Sequence, residues 1–142
     1  ETTNARRIEV AHVASLAIAT NITIDLWALS QDPANAASAI TCRAQNGGQL
    51  HAWAFRPSAS NATFTIYNLA GTSDSVTAET VRPFAGASRW IHWRAVADLT
   101  SGFLYIFADG QLVAKKVTAL TGLQTVTLGP VQIGAETSTA AT

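Results

Sequence analysis

The chain has 142 residues, of which 48% are apolar and 13% charged, and nine Lys+Arg balance nine Asp+Glu. That length fits one domain, and the neutral balance excludes a disordered charged tail, a polyanion-binding stripe and an electrostatically anchored membrane protein. Cys42 is the only cysteine, so no internal disulfide framework or thiolate zinc cluster exists, and it is expected to act as a small buried hydrophobe. The longest apolar run, Phe103 to Ala108, is too short to cross a bilayer, and no signal peptide is expected within these residues. No methionine occurs, so the sequence is expected to be one domain, residues 1–142, from a longer chain.

Period-two alternation dominates. Arg7-Ile8-Glu9-Val10 opens it, and Ile22-Thr23-Ile24-Asp25-Leu26-Trp27, Phe64-Thr65-Ile66-Tyr67 and the stretch from Trp90 to Asp98 continue it. Ala and Thr make up about a third of the chain; Ala favours helix, but its Thr, Val, Ile and aromatic neighbours favour a pleated surface. The pattern predicts eleven strands, at residues 7–10, 22–29, 38–43, 50–55, 63–68, 75–81, 90–98, 102–108, 111–117, 124–128 and 131–133. Residues 30–37, with Asp32-Pro33-Ala34-Asn35, are the one place where a helical turn is expected. Turn signals separate the runs at Gln45-Asn46-Gly47-Gly48, Arg56-Pro57-Ser58, Ala70-Gly71-Thr72, Arg82-Pro83, Thr100-Ser101-Gly102 and Leu128-Gly129-Pro130. The clearest is Asp109-Gly110, whose two residues suit the positive φ values of a tight type I′ hairpin. Many short strands joined by short turns predict an all-β, two-sheet antiparallel β-sandwich.

Three segments, in order, resemble the laminin-G-like branch of the concanavalin A-like lectin/glucanase jelly rolls. They are Arg7-Ile8-Glu9-Val10 with Ile22-Thr23-Ile24-Asp25-Leu26-Trp27-Ala28; Trp90-Ile91-His92-Trp93-Arg94-Ala95-Val96-Ala97; and Leu104-Tyr105-Ile106-Phe107-Ala108-Asp109-Gly110-Gln111-Leu112-Val113, followed by Val131-Gln132-Ile133-Gly134. The resemblance implies a concanavalin A-like jelly roll. It departs at both ends, where the family's first and last strands have no counterpart, so the fold is expected to be incomplete there unless the parent chain or a neighbouring subunit supplies the pairing. Trp27, Trp90 and Trp93 are large enough to serve as core or inter-sheet anchors, Asp109 and Gly110 as a turn, and His92 as a hydrogen-bonded structural residue.

Catalytic chemistry is missing from the pattern. A retaining glycosidase needs two carboxylates about 5–5.5 Å apart, which on a strand means acidic residues two or four positions apart, and no such pair occurs. No G-x-S-x-G elbow supports a nucleophile triad, so a non-enzyme is expected. His12, His51 and His92 lack metal-ligand spacing. The resemblance leaves a Ca²⁺ loop site open through Asp74 or Asp98, although calcium wants more clustered oxygens than these provide. Asn21-Ile22-Thr23 and Asn61-Ala62-Thr63 match the N-glycosylation acceptor, a tripeptide common by chance. The Arg residues are scattered, so nucleic-acid binding is not expected.

One group suits ligand recognition. His51, Trp53 and Phe55 share one face of an alternating strand, and with Arg56 and Tyr67 they could set an aromatic platform beside hydroxyl-fixing polar groups; the competing reading places Trp53 in the inter-sheet layer. The leading expectation is a non-catalytic recognition or adhesion module, carbohydrate-binding, of a larger extracellular or virion-surface protein. Its rival is an assembly domain of a bacteriophage particle, in a fibre, spike or capsid decoration, with neighbouring protein subunits as partners and homo-oligomers among the arrangements open to it.

Overall fold

The computed structural model of the protein describes residues 7–11, 18–29, 38–46, 49–57, 61–79, 90–125 and 128–135. Ten strands are found among them: β1 (Arg7–Val10), β2 (Asn21–Leu29), β3 (Ser38–Asn46), β4 (Gln49–Arg56), β5 (Asn61–Tyr67), β6 (Ser73–Glu79), β7 (Trp90–Asp98), β8 (Phe103–Ala108), β9 (Gln111–Val117) and β10 (Leu128–Ala135). A six-stranded sheet runs β1-β10-β3-β4-β5-β6 and a four-stranded sheet β2-β7-β8-β9, all pairings antiparallel. The fold is therefore the expected all-β sandwich.

Alternation sets the two layers. In β7 Ile91, Trp93, Ala95 and Ala97 are buried, while Trp90, His92, Arg94, Val96 and Asp98 point outward. In β8 Leu104, Ile106 and Ala108 are buried, and Phe103, Tyr105 and Phe107 lie half-buried on the outer face. The opposing sheet contributes Cys42, Trp53, Phe55, Ala62, Phe64, Ile66, Val76 and Ala78. Phe55 meets Phe64 edge-on at 6.1 Å and reaches across the layer to Trp93 at 6.3 Å, geometries that suit aromatic quadrupoles. Small side chains sit beside large ones: Ala95 pairs with Ile24 and Ile106, and Ala97 with Ile22 and Leu104. The alanine-rich composition thus serves close interdigitation of the two sheets. Cys42 is buried as expected, and burial pushes its thiol up to about 11.

The turns follow residue chemistry. Asp109 (φ 48°) and Gly110 (φ 80°) both adopt the left-handed region, and Phe107 opposite Leu112 with Ala108 opposite Gln111 completes the tight hairpin. Gly71 (φ 90°) closes another turn, where the Asn68 carboxamide accepts the Thr72 N–H at 2.8 Å. Between β7 and β8, the Asn21 Oδ1 accepts the N–H groups of Leu99 (2.9 Å) and Thr100 (3.3 Å).

Two expectations need correction. Of the strand expected at 124–128, the described residues Gln124 and Thr125 lie in an irregular segment, held by Leu123 N–H donating to Ala19 O (2.7 Å) and Gln124 N–H donating to Tyr67 O (2.8 Å), and Leu128 belongs to β10. Leu128-Gly129-Pro130 is not a turn; it belongs to β10, where a register shift between Leu128 and Val131 accommodates a proline that has no N–H to donate. Asp74 and Asp98 are not gathered for calcium, since Lys116 Nζ donates to the Asp74 carboxylate and the Ser101 N–H donates to Asp98 Oδ1 at 3.0 Å. Among the described residues no group of three or more His, Cys, Asp or Glu could hold a metal ion. The helical turn expected at residues 30–37 lies outside the described residues.

Lys116 and Asp74 also close one side of the sandwich. They stand on β9 and β6, the two edge strands on that side, and Lys116 Nζ donates as well to the Ser75 carbonyl (3.0 Å). Partial burial raises the Asp74 carboxyl, but hydrogen bonds from Lys116, Thr118 and the Ser75 amide outweigh it and hold the group below its ordinary value. A carboxylate depressed in the folded state stabilises above its unfolded pKa of about 4 and loses that contribution as pH falls through the folded value. Lys116→Met is expected to cost about 1 kcal/mol at neutral pH, because Lys116 is half-exposed, and to flatten the acid limb of stability. Urea melts of both proteins from neutral pH to about pH 3 check this; parallel curves would show that the clasp contributes nothing.

Candidate functional site

Among the described residues, the outer face of the four-stranded sheet gathers Trp27, Trp90, His92, Phe103, Tyr105 and Phe107. In β2 the core takes Ile22 and Ile24, with Leu26 and Ala28 packed against it, so Asn21, Thr23, Asp25 and Trp27 face outward. Trp27 is 64% exposed and Trp90, the first residue of β7, 61%. These two residues were expected in the core, as anchors; the structure puts them in solvent because they fall on the polar parity of their strands. Trp93, on the opposite parity, is the anchor, at 1% exposure.

His92 is the cross-strand partner of Trp27, and their ring centroids lie 5.2 Å apart at 34°. Its Nε2 is 3.2 Å from Asp25 Oδ1, which also accepts a 2.8 Å hydrogen bond from Arg94 Nε. The backbone of His92 is clamped to the hairpin turn: its N–H donates to Asp109 Oδ1 (2.9 Å) and its carbonyl accepts the Asp109 N–H (2.8 Å). Asp109 and Gly110 therefore do more than reverse the chain, since they fix the far wall of a shallow cleft of about 550 Å³ lined by Trp27, Trp90, His92, Asp109 and Gly110. Two exposed indole faces stand beside an imidazole, a carboxylate and backbone polar groups. Such a surface can cover C–H groups with its rings while its polar rim orients hydroxyls.

Of the group expected from sequence, the described side chains lie on both faces of the six-stranded sheet. Trp53 lies in the core at 7% exposure, opposite Cys42 and Ile66. Arg56 pairs with Thr63 and, like Tyr67, is half-buried on the other face of the sheet. His51 stands opposite Arg43 in β4, and its side chain lies outside the described residues. Trp53 and Phe55 face the inter-sheet layer, whereas the register shifts between Cys42 and Arg43, so the expected alternation does not continue unbroken to His51.

No protein-family profile matches the sequence, and no curated protein matches it. Solved structures do share its fold. The binding domain of Paraclostridial Mosquitocidal Protein 1 is 12% identical, with a TM-score of 0.67 over 92% of this chain and 33% of that one. The botulinum neurotoxin serotype G binding domain is 12% identical, with a TM-score of 0.63 over 93% of this chain and 38% of that one. The receptor binding domain of the botulinum neurotoxin C/D mosaic serotype gives a TM-score of 0.63 at 12% identity, over 94% and 33%. The chain thus spans about a third of the length of these structures. At such identities the likeness concerns the fold alone.

Proposed function

We propose that this chain is a non-catalytic recognition module of a larger extracellular protein, and that it binds carbohydrate in the cleft between Trp27, Trp90 and the Asp109-Gly110 turn. The observation that carries the reading is two tryptophans held in solvent by strand parity, beside a polar rim fixed by cross-strand hydrogen bonds. Exposing this much indole forgoes burial worth several kcal/mol, which points to a surface kept for a partner. The fold neighbours include a binding domain and a receptor-binding domain, and the laminin-G-like sequence motifs support the same class of module. A glycan array probed with the wild-type protein and with a Trp27→Ala/Trp90→Ala variant tests it. Signal lost in the variant supports the proposal, and silence of the wild type across the array ends it.

A second reading, an assembly domain, rests on a different place. Ile8, Val10 and Ile133 continue the core-facing rows of the six-stranded sheet, yet they are exposed. A neighbouring subunit packed there would bury them, and concentration-dependent mass in light scattering would favour that role.

A further inference from the structure

Resting on the proposal that the cleft binds carbohydrate, we infer that the cleft is one end of a longer track, along which an uncharged linear polysaccharide lies parallel to the strands of the four-stranded sheet. The outer row of β8 supplies the rest of the track. Phe103 and Tyr105 have ring centroids 5.9 Å apart at 37°, and Tyr105 and Phe107 are stacked at 6.1 Å and 30°. Register joins this row to the cleft: Phe107 pairs with Arg94, whose guanidinium holds Asp25 next to His92, and the β8–β9 turn that follows is the cleft wall. At the other end Phe103 pairs with Asp98, the last residue of β7, whereas Trp90 is the first. At about 3.3 Å per residue the aromatic surface extends roughly 26 Å, well beyond one sugar ring.

Charge selects among chains of that length. The face carries Asp25, Asp98 and Asp109 against Arg94 and Lys115, with His92 among them. Arg94 is already engaged by Asp25, so no surplus of cations awaits a polyanion, and the pattern complements an uncharged chain. Lys115 Nζ sits 4.0 Å above the Phe103 ring and 5.5 Å from that of Tyr105. Its flexible stem and three donors suit hydroxyls on a ring seated over Tyr105.

The test is calorimetric titration of the intact chain with manno-, cello- and malto-oligosaccharides of increasing length, with heparin as the acidic probe. Affinity in the best series should rise about tenfold from the disaccharide to the hexasaccharide. Tyr105→Ala and Phe107→Ala should each reduce the gain with chain length by more than they reduce disaccharide affinity, and heparin should not compete. A plateau at the disaccharide, or preference for heparin, overturns the track and leaves the cleft as a carbohydrate site. Silence of the whole glycan array overturns both. A dimer abolished by Tyr105→Ala would assign the face to a second copy and overturn the track as well. The wild-type length series decides by itself where a variant fails to fold.

Discussion

Replacing Trp93 with alanine is expected to destabilise the fold by about 3–5 kcal/mol, the range for removing a large aromatic from a core that cannot collapse around the gap. Trp93 is 1% exposed, meets Phe55 of the opposite sheet edge-on, and lies between Leu26 of β2 and Ala108 of β8. Its neighbours are fixed by two ladders, so little relaxation is open to them. For a domain of this size the loss corresponds to a fall in Tm of roughly 10 °C. Thermal and urea melts of wild type and variant measure it, and a loss below about 1 kcal/mol would contradict a sandwich closed across its middle by Phe55 and Trp93.

Removing the two exposed tryptophans should give the opposite profile. Trp27→Ala and Trp90→Ala each leave the core intact, so stability should change by no more than about 0.5 kcal/mol. Binding should suffer instead. A ligand covering about 100 Å² of an indole gains roughly 2.5 kcal/mol at 25 cal/mol per Å², so losing either ring should weaken Kd about 60-fold. Titration of the tightest glycan on the array against each variant, alongside melting curves, separates the two effects. Unchanged affinity in both variants would remove the cleft as the binding surface, and a melting loss like that of Trp93→Ala would show that these rings are structural after all.

The contrast among the tryptophans shows how far sequence reasoning reached. Strand bounds at Trp90–Asp98 and Gln111–Val117 and the Asp109-Gly110 hairpin were readable, because strict alternation and positive-φ turn chemistry are local signals. The exposed tryptophans of the candidate cleft are legible as well, in strand parity. Trp27 shares its parity with Thr23 and Asp25, and Trp90 with His92 and Arg94, so the polar face of each strand already announced two solvent-facing rings. Size argued for burial, and position decided otherwise. In β4 parity could not decide, because Ala52, Trp53, Ala54 and Phe55 are all buried and both faces of the strand read as interior. The path of Leu123 and Gln124 depends on long-range hydrogen bonds, from Leu123 to Ala19 and from Gln124 to Tyr67, which no local window contains.

The Lys116–Asp74 clasp carries a consequence for self-association. Among the described residues β6 and β9 end their sheets on the same side, and adjacent sheet edges of this kind invite growth into fibrils by adding strands from another molecule. A growing fibril would have to dehydrate an ammonium and a carboxylate and then match them again in every added layer, at a cost that rises with each charge left unmatched. One ion pair that aligns two sheets within a molecule thereby discourages their endless continuation between molecules.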